Sequence, residues 1–423
     1  MPLSRSESRQ REKRDHRRRR AFQLSMIVAG SIILLTGVGV AVNQADGLPD
    51  WLGGNGASEE LAVSSPSPTR DAAGGVAASA SPDAGTETPA PEPAEDGAVE
   101  QPSDGGGGTD ERVGLSFVGD MLPGEYIAPI MAQNGYDFPY QKALLYLSVP
   151  DLMIGNLELP ITTRGTPVEG TPYVYKGSPE ALSAMRDAGF DIMSLANNHA
   201  LDQGVEGMRD TMRHLTEAGI GYMGVGENDK EAFAPLIREV KGIKVAFIGV
   251  SGVIPFVEMK ADSHVPGIAE TYETTRATAS IQSAEEQADI VVVMVHWGKD
   301  GKDTPENYQR NMARAYIDAG ADLVIGSHPH VLQGFEMYKG KWIAYSLGNF
   351  VYASYPKGQL AETGVLDALC GKDGDCELKF NPMLVIQSQP TPLEGASAEA
   401  LLSRLSSISI GAEVGSDGAI VGK

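Results

Sequence analysis

The chain has 423 residues and a formal net charge of −22 at pH 7, although its first twenty residues are strongly basic. A surface this acidic repels nucleic acid, which argues against a nucleic-acid partner. It also repels a free polyanion at long range, so an anionic substrate would need a local positive centre such as a bound metal ion.

The N-terminus predicts a single-pass membrane protein. Residues 1–20 form a basic tail with nine Lys or Arg and three acidic residues, and the uncharged run Phe22–Val42 lies within a predicted anchor over 21–43. Such a run is long enough to cross a bilayer as a helix. The basic tail should stay in the cytoplasm, which places the rest of the chain outside the cell membrane. A cleaved signal peptide is the alternative.

The segment over 44–110 is rich in Ala, Gly, Pro, Ser, Thr and acidic residues. It lacks the apolar residues needed to offset the entropy of ordering, so we expect a disordered acidic tether. A folded domain is predicted over 111–390, followed by a C-terminal tail over 391–423.

Short apolar runs separated by helical stretches predict an α/β fold with mixed sheets. Runs such as DIVVVMVHW are apolar at nearly every position, which is typical of strands buried on both faces. Between them, Val205, Met208, Met212 and Leu215 recur at helical spacing, and Gly219 can end that helix. Alternation of strands and helices indicates a layered α/β domain.

The chain has two cysteines, Cys370 and Cys376, in a short segment. Outside the membrane they are expected to form a disulfide, with two free thiols as the alternative.

Polar motifs follow most of the predicted strands, and they contain the candidate site residues. These motifs are Gly119-Asp120, Gly155-Asn156-Leu157-Glu158, Asn197-Asn198-His199 with Asp202, His296-Trp297-Gly298, His328-Pro329-His330 and Ser346-Leu347-Gly348-Asn349-Phe350. Open α/β sheets hold ligands at the carboxyl ends of their strands, so the set predicts one shared cleft.

The residue types in these motifs point to a metal centre. Asp, Glu, Asn and His suit divalent Mn, Fe, Zn or Mg rather than soft-metal sites. Each motif alone has an ordinary structural explanation, such as a turn, a helix cap or a hydrogen-bonded core histidine. The ordered set favours a common site over six independent structural features.

This ordered set, over Val113 to Tyr352, resembles the CapA family of poly-γ-glutamate capsule synthesis proteins. It is also similar to the calcineurin-like metallophosphoesterases, which implies an α/β/β/α sandwich with mixed sheets and a dinuclear metal site. The resemblance implies that Asp120 and Glu158 are carboxylate ligands, with Glu158 bridging. It further implies metal ligation by Asn198, His296 and His328 at one ion and by His330 at the other, with His199 as the general acid or electrostatic stabiliser.

Two departures from the phosphoesterase pattern leave the number of metals and the reaction open. That pattern has Asp-x-His in its first motif, whereas Asp120 is followed by Met121 and Leu122. Its second motif usually has Asp where this chain has Asn156. A mononuclear or weakly dinuclear site therefore remains an alternative.

Three functions follow from the sequence. The first is an extracytoplasmic capsule factor that binds, exports or trims an anionic polymer such as poly-γ-glutamate, as a metal-dependent hydrolase if it is an enzyme. In that role Asn198 and His199 are the candidate catalytic residues. The second is a secreted metal-dependent phosphoesterase, and the third is a non-catalytic scaffold that binds the subunits of a polymer synthase or export complex.

Overall fold

The computed structural model describes residues 112–352 and 356–423. The predicted basic tail, anchor and tether lie outside the described residues. Within the part that is described, none of the helices combines the length and the apolar character that a membrane span needs.

The described domain contains strands and helices that mostly alternate along its first two thirds. The strands are β1 (Arg112–Met121), β2 (Leu152–Leu157), β3 (Ile192–Ser194), β4 (Gly221–Met223), β5 (Val225–Gly226), β6 (Leu236–Val240), β7 (Ile243–Ser251), β8 (Gly267–Ile268), β9 (Ile290–His296), β10 (Leu323–Ser327), β11 (Leu332–Tyr338), β12 (Lys341–Leu347), β13 (Asn349–Val351), β14 (Glu362–Gly371), β15 (Cys376–Ile386), β16 (Gln389–Pro392), β17 (Ala412–Val414) and β18 (Ala419–Gly422). The helices are α1 (Ala128–Asn134), α2 (Leu144–Leu147), α3 (Ala181–Ala188), α4 (Gly204–Ala218), α5 (Asp229–Ala232), α6 (Thr275–Glu285), α7 (Asn307–Asp318) and α8 (Gly395–Ile408), with short 3-10 turns at Phe138–Tyr140, Val257–Met259 and Gly358–Ala361.

These strands form two large mixed sheets. The first has the order β17-β18-β15-β14-β1-β2-β3-β4, with β13 beside β1 and β16 beside β15. The second has the order β11-β12-β10-β9-β7-β6, and β5 pairs with β8 in a small separate sheet. Strands β1 to β4 are mutually parallel, as are β7, β9, β10 and β12. The carboxyl ends of the parallel strands therefore share one edge in each sheet.

The two sheets pack face to face with helices outside. Leu115 and Phe117 of β1 share a buried core with Val292 of β9 between the sheets. The other face of the first sheet packs against α3 and α4, and the other face of the second packs against α6 and α7. This arrangement confirms the predicted α/β/β/α sandwich, because each central strand alternates its side chains between two buried faces.

The helix predicted around Met208 is α4, and it ends as expected. Gly219 follows its last residue with φ of 74°, a left-handed conformation that glycine adopts without strain. The buried face of the helix includes Met208 and Leu215. The apolar periodicity was therefore sufficient to identify this helix and its end.

Residues 391–423, predicted to be a C-terminal tail, carry regular structure that packs on the domain. They contain α8, β17 and β18, and β18 pairs with β15 in the first sheet. Leu401, Leu402 and Leu405 are buried in the core between the sheets. The folded unit thus extends beyond the predicted boundary at 390, because the Ala- and Ser-rich composition here conceals an apolar helix face.

A disulfide joins Cys370 and Cys376, at the turn between β14 and β15. The pairing agrees with the sequence expectation. The disulfide closes the β14–β15 hairpin, and the first residues of β1 pair with β14 at the same end of the first sheet.

Candidate metal centre

The candidate site lies where the carboxyl ends of strands from the two large sheets meet. Asp120 lies near the end of β1, and its backbone N–H donates to the carbonyl of Gly348, which connects β12 of the second sheet to β13 of the first. A Cβ atom on Gly119 would overlap that carbonyl oxygen. Glycine at 119 therefore allows the two sheets to approach closely at the site.

Asp120 lies at the centre of a hydrogen-bond network. It is fully buried, its Oδ1 accepts a 2.8 Å hydrogen bond from Asn156 Nδ2, and its Oδ2 accepts one of 3.2 Å from the backbone N–H of His328. His330 Nδ1 lies 3.2 Å from the same Oδ2. These contacts hold the carboxylate between strand ends of both sheets.

Glu158 follows β2 and is fully buried, yet neither of its carboxylate oxygens has a hydrogen-bond partner among the described residues. Its Oε1 lies 3.4 Å from His296 Nε2 and 3.9 Å from His330 Nε2. A buried carboxylate without hydrogen-bond donors is costly, so its retention calls for a positive partner.

His296 ends β9, and both of its ring nitrogens have protein neighbours. Nε2 lies 2.7 Å from Asn198 Oδ1, and Nδ1 lies 2.9 Å from Ser327 Oγ. Each ring nitrogen is thus within hydrogen-bond distance of a protein group, and the direction of each bond depends on the tautomer of the ring. The predicted ligands Asn198 and His296 are thus in direct contact.

His328 and His330 lie on a strained turn. Their φ angles are 95° and 58°, in the left-handed region that non-glycine residues seldom adopt. His328 Nε2 lies 3.1 Å from Asp300 Oδ1, while its buried Nδ1 has no partner among the described residues. Such strain concentrates at functional sites, where the surrounding structure enforces it.

His199 sits at the edge of this cluster and is oriented by Asp202. Its Nδ1 lies 2.8 Å from Asp202 Oδ2, which also accepts a 2.7 Å hydrogen bond from the backbone N–H of Tyr175. The imidazole packs on the Tyr175 ring with centroids 4.5 Å apart. Asp202 therefore fixes the ring and leaves Nε2 as the nitrogen available for proton transfer.

The ionisation of the cluster follows from burial and mutual charge. Burial, reinforced by the charge of Asp120, raises the pKa of Glu158 to about 8. Burial opposes the charged form of His330, but Glu158 and Asp120 together raise its pKa to about 10. Burial lowers the pKa of both His296 and His328 to about 3. Both histidines are consequently neutral near pH 7, the form in which imidazole binds metals.

The donor set fits a divalent metal. Two groups of residues each bring three potential ligand atoms within 4.8 Å of one another. The first group is Asp120, Glu158 and His296, and the second is Glu158, His328 and His330. Glu158 belongs to both groups, and its unpartnered oxygens are the feature that a cation would satisfy. The imidazole and carboxylate donors match Mn, Fe or Zn, with Mg also served by the carboxylates.

The grouping differs in one respect from the arrangement that the resemblance implies. His296 and His328 were expected on one ion, whereas the structure places them in different groups, with ring centroids 4.7 Å apart. Glu158 belongs to both groups, and a carboxylate that bridges two metal ions requires this position. The individual ligand assignments remain predictions.

The structure adds three residues that the sequence analysis did not include among the site residues. Asn349 Oδ1 lies 2.9 Å from His330 Nδ1, and Ser327 contacts His296 as described. Asp300, on the loop after β9, contacts His328. Asn349 belongs to a strand-end motif and Ser327 directly precedes one, so both could have been found there, whereas the position of Asp300 depends on the loop conformation. Leu122, where the phosphoesterase pattern has histidine, is buried in the apolar core instead.

Comparisons with known proteins identify the family to which the chain belongs. A family model described as "Bacterial capsule synthesis protein PGA_cap" matches residues 114–354. The chain is 31% identical over 288 residues to the "PGA biosynthesis protein CapA" of Bacillus subtilis (strain 168), covering 68% of this chain and 75% of that protein. It is 30% identical over 301 residues to the "Capsule biosynthesis protein CapA" of Bacillus anthracis, covering 68% and 71%.

Two solved structures are similar at lower identity. A novel phosphatase from Mycoplasma pneumoniae is 13% identical with a TM-score of 0.42, covering 66% of this chain and 95% of that one. The NAD nucleotidase NadN from Haemophilus influenzae is also 13% identical with a TM-score of 0.42, covering 68% and 61%.

Proposed function

Since the chain belongs to the PGA_cap family of bacterial capsule synthesis proteins, we propose that it acts on a γ-glutamyl polymer at a divalent metal centre outside the cell membrane. The proposal takes its polymer from relatives whose names specify PGA biosynthesis and capsule biosynthesis. We further propose that the polymer is cut or transferred at the metal centre rather than only bound.

The observation that carries the proposal is the state of Glu158. A fully buried carboxylate with no hydrogen-bond donor on either oxygen, at the junction of two groups of histidine and aspartate ligands, is costly. The protonated His330 ring lies 3.9 Å from Oε1 and offsets only part of this cost, whereas a divalent cation would bind the oxygens directly. A purely structural role without a bound metal gives no reason to retain this cost. The residues that would hold the metal are Asp120, Glu158, His296, His328 and His330, with Asn198 beside His296.

A divalent ion held there would supply Lewis acidity and a lowered pKa for water. The remaining chemistry belongs to the protein. In amide hydrolysis, a water oxygen adds to the carbonyl carbon and loses one proton, the C–N bond breaks, and the departing nitrogen takes up one proton. His199 would deliver that proton from Nε2, because Asp202 occupies Nδ1 and holds the ring in place.

An extracytoplasmic location is supported by two features. The basic tail and uncharged run near the N-terminus predict a cytoplasmic tail followed by a membrane span. The Cys370–Cys376 disulfide is typical of oxidising compartments outside the cytoplasm. Protease protection of the tagged N-terminus in intact spheroplasts, with degradation of the C-terminal domain, would test this topology.

The enzymatic proposal is tested by incubating the metal-loaded full-length chain with poly-γ-glutamate and counting new amino termini. We expect them to appear with wild-type protein and to be nearly absent with His199→Ala. Poly-α-glutamate serves as the control for linkage, and p-nitrophenyl phosphate tests the phosphoesterase alternative. Hydrolysis of the phosphoester without any γ-glutamyl cleavage would contradict the proposal, and polymer binding without turnover would indicate the scaffold role.

A further inference from the structure

We propose that four tyrosines beside the metal centre, Tyr126, Tyr173, Tyr175 and Tyr352, form a substrate-binding surface that holds the γ-glutamyl chain by its planar amides. We call this surface the tyrosine wall. The inference rests on the proposed function, because the class of substrate is taken from it. It adds a recognition surface next to the candidate metal ligands.

The topology brings these tyrosines together at the site. Tyr126 lies in the segment after β1, Tyr173 and Tyr175 lie in the segment after β2, and Tyr352 directly follows β13. Because β1, β2 and β13 are parallel neighbours in the first sheet, segments that follow them emerge at the same edge. That edge also carries Asp120 and Glu158.

Ring contacts make the wall continuous with the candidate site. Tyr175 packs on His199 with centroids 4.5 Å apart, and Tyr352 packs on His330 with centroids 4.9 Å apart. Tyr126 meets Tyr175 edge to face at 5.7 Å, and Tyr173 stacks on Tyr175 at 6.1 Å with an interplanar angle of 14°. The rings therefore extend outward from the proposed proton donor and from one candidate metal ligand.

The inner and outer parts of the wall differ in exposure. Tyr175 is buried and its backbone N–H is fixed by Asp202, so it forms a rigid base. Tyr126 and Tyr173 are 48% and 57% exposed, respectively. Large exposed aromatic rings clustered beside a polar site are typical of a binding surface.

The chemistry of the wall fits a polyamide better than a phosphorylated ligand. None of the four side chains carries a positive charge, so the wall offers no charged partner for a phosphate. Tyrosine rings stack on planar amides and contact methylene groups, while their hydroxyls can donate to carboxylates. A γ-glutamyl chain presents all of these groups in each repeat, and its carboxylates can remain in water.

The test is the affinity of the full-length chain for a fluorescent γ-glutamyl oligomer, measured by anisotropy. We expect Tyr173→Ala and Tyr126→Ala each to weaken binding about three- to tenfold, the scale of one aromatic contact. Tyr173→Phe should retain most of the affinity because it keeps the ring. Leu145→Ala removes a side chain that is 67% exposed on α2, before the amino end of β2, and should leave the affinity unchanged.

Thermal unfolding and metal content of each variant should match the wild type, since both substituted tyrosines are exposed. If the wild type binds the oligomer and both alanine variants bind it equally well, the tyrosine wall is overturned while the proposed function stands. If the wild type does not bind the oligomer, the proposed function itself fails and the wall fails with it. Tyr173-dependent binding of a neutral β-glucan oligosaccharide, with γ-glutamyl binding unaffected by the substitution, would overturn the assigned substrate class.

Discussion

Replacing Glu158 with glutamine should stabilise the metal-free protein and abolish its stabilisation by metal. Glu158 is fully buried without hydrogen-bond partners among the described residues, and burial with the charge of Asp120 raises its pKa to about 8. When the pKa of a carboxyl group is higher in the folded state than in the unfolded state, the folded protein becomes less stable as pH rises from the unfolded pKa, about 4, to the folded pKa. The cost is therefore nearly complete at pH 8.5.

The expected size of the effect follows from the missing contacts. A buried polar group without partners costs about 1–3 kcal/mol whether it is a neutral carboxyl or an amide, and it costs more when it is charged, so the additional cost of the charge separates glutamate from glutamine. For a domain of roughly this size, each kcal/mol shifts Tm by about 2–4 °C. We therefore expect Glu158→Gln to raise Tm by roughly 5 °C in the absence of metal, because glutamine carries no charge into the core.

The assay is thermal unfolding of the full-length chain by circular dichroism at pH 8.5, first with a chelator and then with excess Mn²⁺ or Zn²⁺. Without metal, the variant should be the more stable protein. With metal, only the wild type should gain stability, because only the wild type retains the shared carboxylate. Glu377→Gln, at a surface ion pair with Arg112, is a matched control that should alter neither measurement. A lower Tm for Glu158→Gln without metal, or an equal metal-induced rise in both proteins, would refute the reasoning.

Four further predictions address proton linkage, the proton donor, the fold and the domain boundary. Because burial and the charge of Asp120 raise the pKa of Glu158, and the neighbouring carboxylates raise the pKa of His330, metal binding at pH 7 should release protons, and metal affinity should rise with pH. Calorimetry in buffers of different ionisation enthalpy measures the release, and no release would contradict the assignment. His199→Ala should reduce any γ-glutamyl hydrolysis by about a hundredfold or more with metal content unchanged, whereas metal loss would make His199 a ligand. Asp210 is buried and hydrogen-bonded to Thr162 and Arg164, and Arg164 holds its pKa below the ordinary value, so Asp210→Asn should cost about 1–3 kcal/mol near neutral pH. The difference from wild type in denaturant unfolding should shrink as pH falls below about 4, because the unfolded wild-type chain then takes up a proton on Asp210 that the folded state does not bind until lower pH. Removal of residues 1–110 should leave a soluble, cooperatively unfolding domain, and an aggregated product would contradict the tether prediction.

The sequence predicted the sheets and the common location of the motifs because both depend on local patterns. Runs such as β9 are apolar on both faces, which identifies strands covered on both sides. Polar residues at the ends of parallel strands converge whatever the details of packing. The family and the layered fold were accordingly correct.

Details that depend on tertiary contacts could not be predicted in the same way. The division of His296 and His328 between two groups follows from side-chain directions and from the strained turn at 328–330, neither of which residue spacing determines. Asp300 reaches His328 through the conformation of a loop. The tyrosine wall combines residues from three separate segments, and none of its members stands in a recognisable motif.

The metal content of the purified full-length chain tests the central claim most directly. After incubation with Mn²⁺, Fe²⁺, Zn²⁺ or Mg²⁺ and removal of free metal, elemental analysis should find about one to two divalent ions per wild-type chain and almost none in Glu158→Ala. His296→Ala and His328→Ala should each lose part of the metal, since the two histidines belong to different groups of candidate ligands. Wild-type protein without bound metal under all four conditions, or full metal content in Glu158→Ala, would contradict the account.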